Sequence, residues 1–281
     1  HPALRLWRNK PHIRFRGKIH EELLSSLFGS DPHADVRLVG APRIMHYGYL
    51  TAEKKRKEKA KRNIRILKQV CLDEPQNPYG KYNLALEYYQ LQNYQKAALL
   101  LEEVLQNVSP DWSHFSALIR NYAVSLLESG QIRKARHILQ QGSIRFPDYT
   151  DLFYLHALVL TESKKPDQAV KILLHCLDLG DSPPRFVSTP GVGSHKASCL
   201  AGRILEKEKR FAEAVKAYTV ALQMKPDERS ALYGLIRVIS KTKTPPDCIL
   251  YLTQYFDFKT KASREILLHA FAQAGADDTA I

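Results

Sequence analysis

An alanine recurs along this chain at a nearly constant spacing, and this recurrence constrains the fold more than any other feature. Ala97, Ala135, Ala169 and Ala214 share one local pattern, and Cys248 takes the fifth place. Counting back nineteen residues from each puts repeat starts near 78, 116, 150, 195 and 229. Two of the four intervals are 34 residues long, and the others are 38 and 45. The chain therefore repeats one structural unit.

Each unit has the landmarks of a pair of helices. Small residues fill its eighth and twentieth places, as Ala123 and Ala135 do in the second unit, and let the two helices approach closely. Pro147 and Pro226 follow the second helices of two units, where proline stops a helix. A helical pair of 34 residues is the tetratricopeptide repeat. The pattern predicts a mainly α fold, a right-handed tetratricopeptide superhelix of about five helical pairs over 75–281, with a capping helix at 261–274.

Composition narrows the class further. The 281-residue chain is 44% hydrophobic, has no apolar run of 18 residues and does not begin like a signal peptide. We therefore expect a soluble, cytoplasmic protein with no membrane span. Cys71, Cys176, Cys199 and Cys248 lack metal-ligand spacing, so reduced structural thiols are expected.

The positive charge is concentrated before the repeats. Residues 1–70 hold 17 lysines and arginines against 6 acidic residues, a net charge of +11 out of +13 for the whole chain. The densest run, 54–65, lies in a predicted basic linker helix at 51–74. A nucleic-acid interface is one interpretation, but no aromatic side chains interleave the run to stack on bases. The favoured alternative is a solvated face opposite an apolar stripe that docks on the first repeat, formed by Ala60, Ile64, Leu67 and Cys71.

Residues 1–50 follow a different pattern. They hold four prolines and four glycines, and short apolar pieces at 4–7, 12–15 and 36–39 predict strands, with a short helix at 21–27 between them. Fifty such residues cannot form a core alone. The chain also opens on His1-Pro2 without an initiator methionine, so we expect an upstream domain in the parent protein.

Three segments of this head carry a family resemblance: 5–9 (RLWRN), 14–21 (RFRGKIHE) and 44–49 (IMHYGY). A Gly-rich segment, 190–196, precedes a later repeat. In this order, with a basic helix and repeats behind them, they resemble the end of the catalytic domain in bacterial family 2 glycosyltransferases, in the sublancin glycosyltransferase subgroup. The resemblance implies that 1–50 is the C-terminal remnant of a GT-A catalytic domain, a short mixed α/β segment.

The same resemblance implies an inverting hexosyl transfer from a nucleotide sugar, assisted by a divalent metal, Mg²⁺ or Mn²⁺. The chain has no Asp-x-Asp motif, and the βαβ half that would hold the nucleotide is missing. Asp31, Asp35 and Asp73 are isolated, whereas a metal that bridges a diphosphate needs closely set oxygen ligands. We therefore expect no cofactor on this chain and no transfer by this chain alone.

The resemblance also suggests roles for individual head residues. His20 and Glu21 are the candidate catalytic pair, in which the carboxylate takes the acceptor proton or holds the histidine in one tautomer. His46 is the candidate metal ligand. Three arginines are candidates for binding the departing diphosphate: Arg5, Arg8 and Arg14. The alternatives stay open: Glu21 favours the positive end of a short helix, His46 packs at a domain junction, and the arginines are solvated.

The repeats offer a second candidate surface. Positions 2, 5, 9 and 12 of the first helix of a repeat line the groove of such an array, and here these positions are aromatic in the first repeats and charged in the later ones. The predicted partner-binding residues are Tyr79, Tyr82, Leu86, Tyr89, Arg120, Tyr154 and Arg203. This composition suits a peptide with apolar anchors. Tyrosines that only pack between repeats are the alternative.

One further motif concerns the long interval before the fourth repeat. The sequence 191–194 (GVGS) is a weak phosphate loop, because the full GxxxxGK[ST] pattern and a preceding strand are missing. Ser194 as the N-cap of the fourth repeat is the plainer interpretation.

These predictions combine into one leading function, the C-terminal part of a bacterial inverting glycosyltransferase. Its repeats would bind a protein or peptide acceptor or mediate self-association as a homodimer. The alternative is a stand-alone tetratricopeptide scaffold for protein–protein interaction, whose basic head docks on an acidic partner or nucleic acid. Nucleic acid is the less favoured partner for the reason given above.

Overall fold

The structure is a computed structural model that describes residues 7–15, 23–36, 53–241, 245–254, 265, 267–269 and 271–272. Within these ranges it contains no strand and twelve helices: α1 Leu24–Ser30, α2 Glu53–Asp73, α3 Pro78–Gln90, α4 Tyr94–Asn107, α5 Phe115–Glu128, α6 Ile132–Arg145, α7 Thr150–Glu162, α8 Pro166–Leu179, α9 His195–Lys207, α10 Phe211–Met224, α11 Arg229–Ile239 and α12 Pro245–Thr253. The described residues from 265 to 272 are helical as well, inside the range expected for the capping helix. The chain divides into two compact units, His1–Ser125 and Leu126–Ile281.

The helices follow the alanine spacing closely. Helices α3, α5, α7, α9 and α11 begin within one residue of the expected repeat starts. In the first unit α3 packs on α4, and in the second unit α7 packs on α8 and α9 on α10. All four alanines of the pattern, and Cys248, are completely buried. A larger side chain there would push the two helices of a pair apart.

The turn between paired helices is the same in four places. Its central residue has a positive φ in each case: 60° at Gln92, 75° at Gly130, 54° at Lys164 and 59° at Lys209. The next amide then donates to a carbonyl five residues back, as Lys165 does to Leu160 at 2.9 Å. This left-handed ending satisfies the last carbonyls of the first helix and reverses the chain. Only one of the four positions holds glycine, the residue that adopts this conformation without strain.

Helix α2 docks on the first repeat through one side of its surface. Ala60 and Leu67 are buried, whereas Lys59, Lys61 and Arg65 are exposed. Asn63 is buried too, and its Nδ2 donates to Oε1 of Glu87 on α3 at 2.7 Å. The described part of the basic run is therefore a solvated face opposite a docking stripe, in agreement with the favoured interpretation. No helix in the described ranges is long and apolar enough to cross a lipid bilayer.

The strands expected in the head are absent from its described residues. The stretch 12–15 and the residues Trp7 and Val36 are not extended strands, and the short helix runs over Leu24–Ser30 rather than 21–27. A lone strand leaves its backbone groups unpaired, and these segments find no partner strand among the described residues. Instead, the amide of Arg14 donates to Oγ of Ser26 at 3.0 Å. The rest of the three predicted strands lies outside the described residues.

The cysteines behave as buried apolar residues. None of the four is disulfide-bonded. Burial raises the pKa of Cys176 to about 12 and that of Cys199 to about 11. Both thiols therefore stay protonated at neutral pH, where a thiol is a poor nucleophile.

The positive-φ turns generate a stability prediction. Lys164→Gly should raise the free energy of unfolding by about 0.5–1 kcal/mol, because glycine removes the left-handed strain at a small cost in unfolded-chain entropy. Gly130→Ala, at the equivalent turn of the same unit, should lower it by a similar amount. Urea denaturation followed by circular dichroism measures both. A Lys164→Gly variant less stable than the parent would show that the lysine side chain contributes more than its backbone costs.

Candidate functional site

An exposed aromatic surface lies in the first unit, where α3 meets the loop between α4 and α5. The Tyr79 ring lies 5.1 Å from that of Trp112 and 5.3 Å from that of His114, measured between centroids. Tyr79 is 42% exposed, and its hydroxyl is 3.0 Å from Oγ of Ser113. Burial lowers the pKa of His114, so its ring is neutral at neutral pH. We call Tyr79, Trp112 and His114 the aromatic surface. Its neutral rings suit apolar anchors.

Tyr82 supports this surface from below. It is 4% exposed, its ring stands edge-on to Trp112 at 5.3 Å, and Nδ2 of Asn121 donates to its hydroxyl at 3.2 Å. Burial raises the pKa of Tyr82 to about 12. Of the predicted groove residues, Tyr82 therefore follows the packing alternative rather than lining an open groove.

The other predicted groove residues are accessible to different degrees. Leu86, Tyr89 and Arg120 in the first unit are half-buried, and the Tyr89 ring packs edge-on against Tyr94 at 5.4 Å. In the second unit Tyr154 is half-buried and Arg203 is exposed. Burial raises the pKa of the Tyr154 hydroxyl, although the Arg203 charge acts against this shift.

The candidate residues of the head are not assembled into a site by the described chain. Arg8 and Arg14 are exposed. Arg5, His20, Glu21 and His46 lie outside the described residues. Among the described residues there is no group of three or more acidic, histidine or cysteine side chains placed to hold a metal ion. The catalytic, metal and diphosphate roles of these residues therefore stay predictions.

The long loop before α9 is held by two carboxylates of its own unit. Asp151 on α7 accepts from Oγ of Ser182 at 3.0 Å and from the Thr189 amide at 2.9 Å. Phe186 stacks on the buried Tyr149 with ring centroids 4.2 Å apart and an interplanar angle of 4°. Residues 180–194 are thus part of the packed repeat and not an open arm.

Asp181 closes the glycine-rich part of this loop. Its carboxylate accepts from the amides of Gly191 and Gly193 at 2.9 and 2.8 Å. These are the donors that a phosphate-binding loop would offer to its ligand, and the chain supplies its own anion to them. Ser194 occupies the N-cap position of α9, as expected, but its side chain makes no capping hydrogen bond.

Tyr218 connects three helices of the second unit. Its ring is fully buried on α10, and a Cβ added to Gly202 on α9 or to Gly234 on α11 would lie only 2.7 or 2.3 Å from ring atoms. The ring therefore needs glycine on both sides. Its hydroxyl donates to Oε2 of Glu206 at 2.9 Å, and burial, followed by this bond, raises the Tyr218 pKa.

Glu206 in turn fixes Arg237. Nε of Arg237 donates to Oε1 at 2.5 Å and Nη2 donates to Oε2 at 2.7 Å, a two-pronged ion pair between α9 and α11. Burial alone would raise the pKa of Glu206, but the hydrogen bonds from Arg237 and Tyr218 lower it below the usual value. The carboxylate is therefore charged at neutral pH and balances Arg237.

A cavity of about 440 Å³ opens beside this ion pair, between the ends of α9 and α11 and the start of α10. Phe211 and the Glu206–Arg237 pair form part of its wall. Four more cations line it: Arg203, Lys207, Lys209 and Lys241. We call this cavity the basic pocket. All four side chains are exposed, so the pocket presents a concentrated positive charge to a partner.

The sequence analysis missed the parts of both surfaces that lie outside the first helices of repeats. Trp112 and His114 lie in the four extra residues' neighbourhood of the 38-residue interval, which was the available signal. Lys207, Lys209 and Lys241 follow the ends of first helices, next to the predicted groove position Arg203. Position 9 of the fifth repeat, Arg237, obeys the groove rule, but the degenerate repeat obscured it.

Comparison with known proteins identifies the repeats. Tetratricopeptide repeat models match residues 88–159 and 195–228. The chain therefore contains tetratricopeptide repeats. Two curated relatives, the SPbeta prophage-derived glycosyltransferase SunS of Bacillus subtilis strain 168 and glycosyltransferase SunS of Bacillus phage SPbeta, are each 24% identical over 158 residues, which is 56% of this chain. The match spans 36% of the length of either relative.

Solved structures share the fold. The C-terminal part of a TPR repeat-containing protein from Cytophaga hutchinsonii superposes with a TM-score of 0.53 at 18% identity, over 80% of this chain and 82% of that one. A crystal structure of MamA superposes with a TM-score of 0.51 at 19% identity, over 66% of this chain and 98% of that one. At these identities the similarity shows a mainly helical tetratricopeptide-type fold.

The Glu206 ion pair predicts a pH-dependent contribution to stability. Because its pKa is lower in the folded state, the carboxylate stabilises the fold above the unfolded pKa, about 4.5, and loses this contribution as the pH falls through the folded value. Glu206→Gln should lower the free energy of unfolding by about 1–2 kcal/mol at pH 7, and by progressively less in acid. Urea titrations between neutral and acid pH measure this. Glu213→Gln, which removes an exposed partner of Arg210, is the control and should change stability much less.

Proposed function

We propose that this chain is the C-terminal part of a bacterial inverting glycosyltransferase and that its repeats bind the polypeptide acceptor. The observation that carries the proposal is the similarity to glycosyltransferase SunS over 158 residues. That similarity extends through more than half of the chain, so it includes more than the head alone. Tetratricopeptide arrays present extended binding surfaces to protein partners, which gives the repeats a role in acceptor capture.

The aromatic surface supports the acceptor-binding half of the proposal. Tyr79 is exposed at the start of the first repeat, beside Trp112 and the neutral His114. Aromatic side chains of this kind carry much of the binding energy in protein interfaces, because they bury a large area with few rotatable bonds. The rigid support from Tyr82 lowers the entropy cost of ordering the surface on binding.

The described part of the chain offers nothing comparable to a nucleotide sugar. Its glycine-rich amides are occupied by Asp181, and it has no clustered carboxylates for a metal. In the proposed division of labour, the donor sugar and its Mg²⁺ or Mn²⁺ belong to the catalytic domain of the parent enzyme, whose remnant would be residues 1–50. His20, Glu21 and His46 would complete that domain from the C-terminal side.

A stand-alone scaffold is the second candidate function. Its specific support is the match of two segments to tetratricopeptide repeat models, which requires no catalytic domain. In that case the same aromatic surface would bind a partner protein, or a second copy of the chain in a homodimer. The reading frame upstream of His1 distinguishes the candidates, since the proposal requires about 200 residues there that carry Asp-x-Asp.

The acceptor surface can be tested with selected peptides. A random-peptide phage library panned on the whole chain should yield peptides with aromatic or aliphatic anchors. Tyr79→Ala should weaken the binding of a selected peptide about ten-fold in fluorescence anisotropy, because it removes an exposed ring from the aromatic surface. Leu99→Ala, at a 63% exposed position on α4, is the matched control and should change the affinity by less than about two-fold.

Calorimetric titration with UDP-glucose and Mg²⁺ tests the division of labour. We expect no saturable heat from the chain alone. Tight binding of the nucleotide sugar would contradict the proposal, and so would peptide binding that is indifferent to Tyr79→Ala.

A further inference from the structure

The basic pocket has more positive charge than the fold uses. Five cations line it against one carboxylate, Glu206, and that carboxylate is committed to Arg237. The remaining four, Arg203, Lys207, Lys209 and Lys241, make no ion pair within the described residues. Lys241 lies over the Phe211 ring at 5.6 Å, which leaves its ammonium charge available to a ligand.

Helix-end electrostatics explain only part of this charge. Cations are favoured at the C-terminal end of a helix, and Lys207 lies in the last turn of α9 as Arg237 does in that of α11. Arg203 is a turn further from the end of α9, and Lys209 and Lys241 lie beyond the ends of their helices. Like charges gathered around one cavity repel each other and lower stability, so their grouping favours a ligand that neutralises them.

The walls of the pocket are preorganised. Tyr218 fills the space between Gly202 and Gly234 and holds Glu206, which holds Arg237. The relative position of α9 and α11, and so the width of the pocket, is set by this buried chain of contacts. A ligand therefore meets cations on a rigid frame and does not have to order the backbone first.

We infer that the basic pocket binds an acidic segment of a polypeptide partner through its aspartate and glutamate side chains. A cavity of about 440 Å³ accepts a few side chains of an extended segment but no folded element. Carboxylates pair with guanidinium and ammonium groups, and the half-buried Phe211 offers an apolar contact between them. The inference rests on the proposed function only in taking a polypeptide as the partner, and it places a second contact for that partner in the second unit.

A nucleic-acid or phosphate ligand fits the pocket less well. The pocket has a single aromatic ring, which Lys241 already covers, so it offers no face on which a base can stack. The loop amides that would cradle a phosphate in this unit are bound to Asp181.

The test uses the whole chain and two labelled peptides, one rich in glutamate and the other with glutamine at each of those positions. Fluorescence anisotropy should show binding of the glutamate peptide alone, weakening steeply as salt rises from about 50 to about 300 mM. The double variant Arg203→Glu/Lys207→Glu should weaken this binding at least about ten-fold. Lys171→Glu, an exposed lysine on α8 outside the pocket, is the control for charge alone and should change the affinity by less than about two-fold.

Glu206→Gln gives a readout of opposite sign. Removal of the only carboxylate in the pocket should tighten the glutamate peptide about three-fold or more, although the same change destabilises the fold. A variant that merely damaged the pocket would bind more weakly. Circular dichroism at the assay temperature checks that each variant is folded.

Three results would overturn the inference. One is equal binding of the glutamine peptide, and another is a loss on Lys171→Glu as large as that on Arg203→Glu/Lys207→Glu. The third is tighter binding of a short oligothymidylate than of the glutamate peptide, with the same dependence on Arg203 and Lys207, which would make the pocket a nucleic-acid site. Peptides selected on the aromatic surface can still bind in each case, so failure here is distinct from failure of the proposed function.

Discussion

The second unit depends on the placement of one aromatic ring between two glycines. Tyr218 can lie between α9 and α11 only because Gly202 and Gly234 have no side chains in its way. Once it is there, its hydroxyl is directed to Glu206, and the carboxylate is then in position to take both prongs of Arg237. Helix packing, a buried hydrogen bond and a surface ion pair thus follow from one steric fit. The electrostatic character of the basic pocket is the last step of that sequence of contacts.

The repeat pattern predicted what depends on close packing. Small residues at two fixed places are required wherever two helices touch, so Ala97 and Ala214 revealed the helix starts of their units to within a residue. Contacts that depend on inserted segments could not be predicted in this way. Trp112 reaches Tyr79 because the loop between α4 and α5 folds back over α3, and Asp181 reaches Gly191 because residues 180–194 close on themselves. Their partners are far away in sequence and follow no period.

The head failed for a different reason. Apolar alternation over 12–15 resembles a strand, but a strand requires neighbours to pair with, and the described head residues use side-chain and local bonds instead, as Arg14 and Ser26 do. The basic run before the repeats was open to two interpretations from charge alone. The buried hydrogen bond from Asn63 to Glu87 decides how α2 sits, because a polar pair of this kind is costly to bury unless both partners meet. Nothing in a count of lysines contains that information.

The positive-φ turns have a broader consequence. Gln92, Lys164 and Lys209 stand where Gly130 stands in its own turn, and all three side chains are exposed. The backbone at this position is fixed by the hydrogen bonds of the helix ending, whereas the side chain contributes nothing to the core. Recognition chemistry can therefore be exchanged there at the cost of a little strain, without altering the alanine contacts that make the repeat fold. In Lys209 this exchangeable position has become part of a pocket, so the helical hairpin acts as a standard mount for variable binding groups.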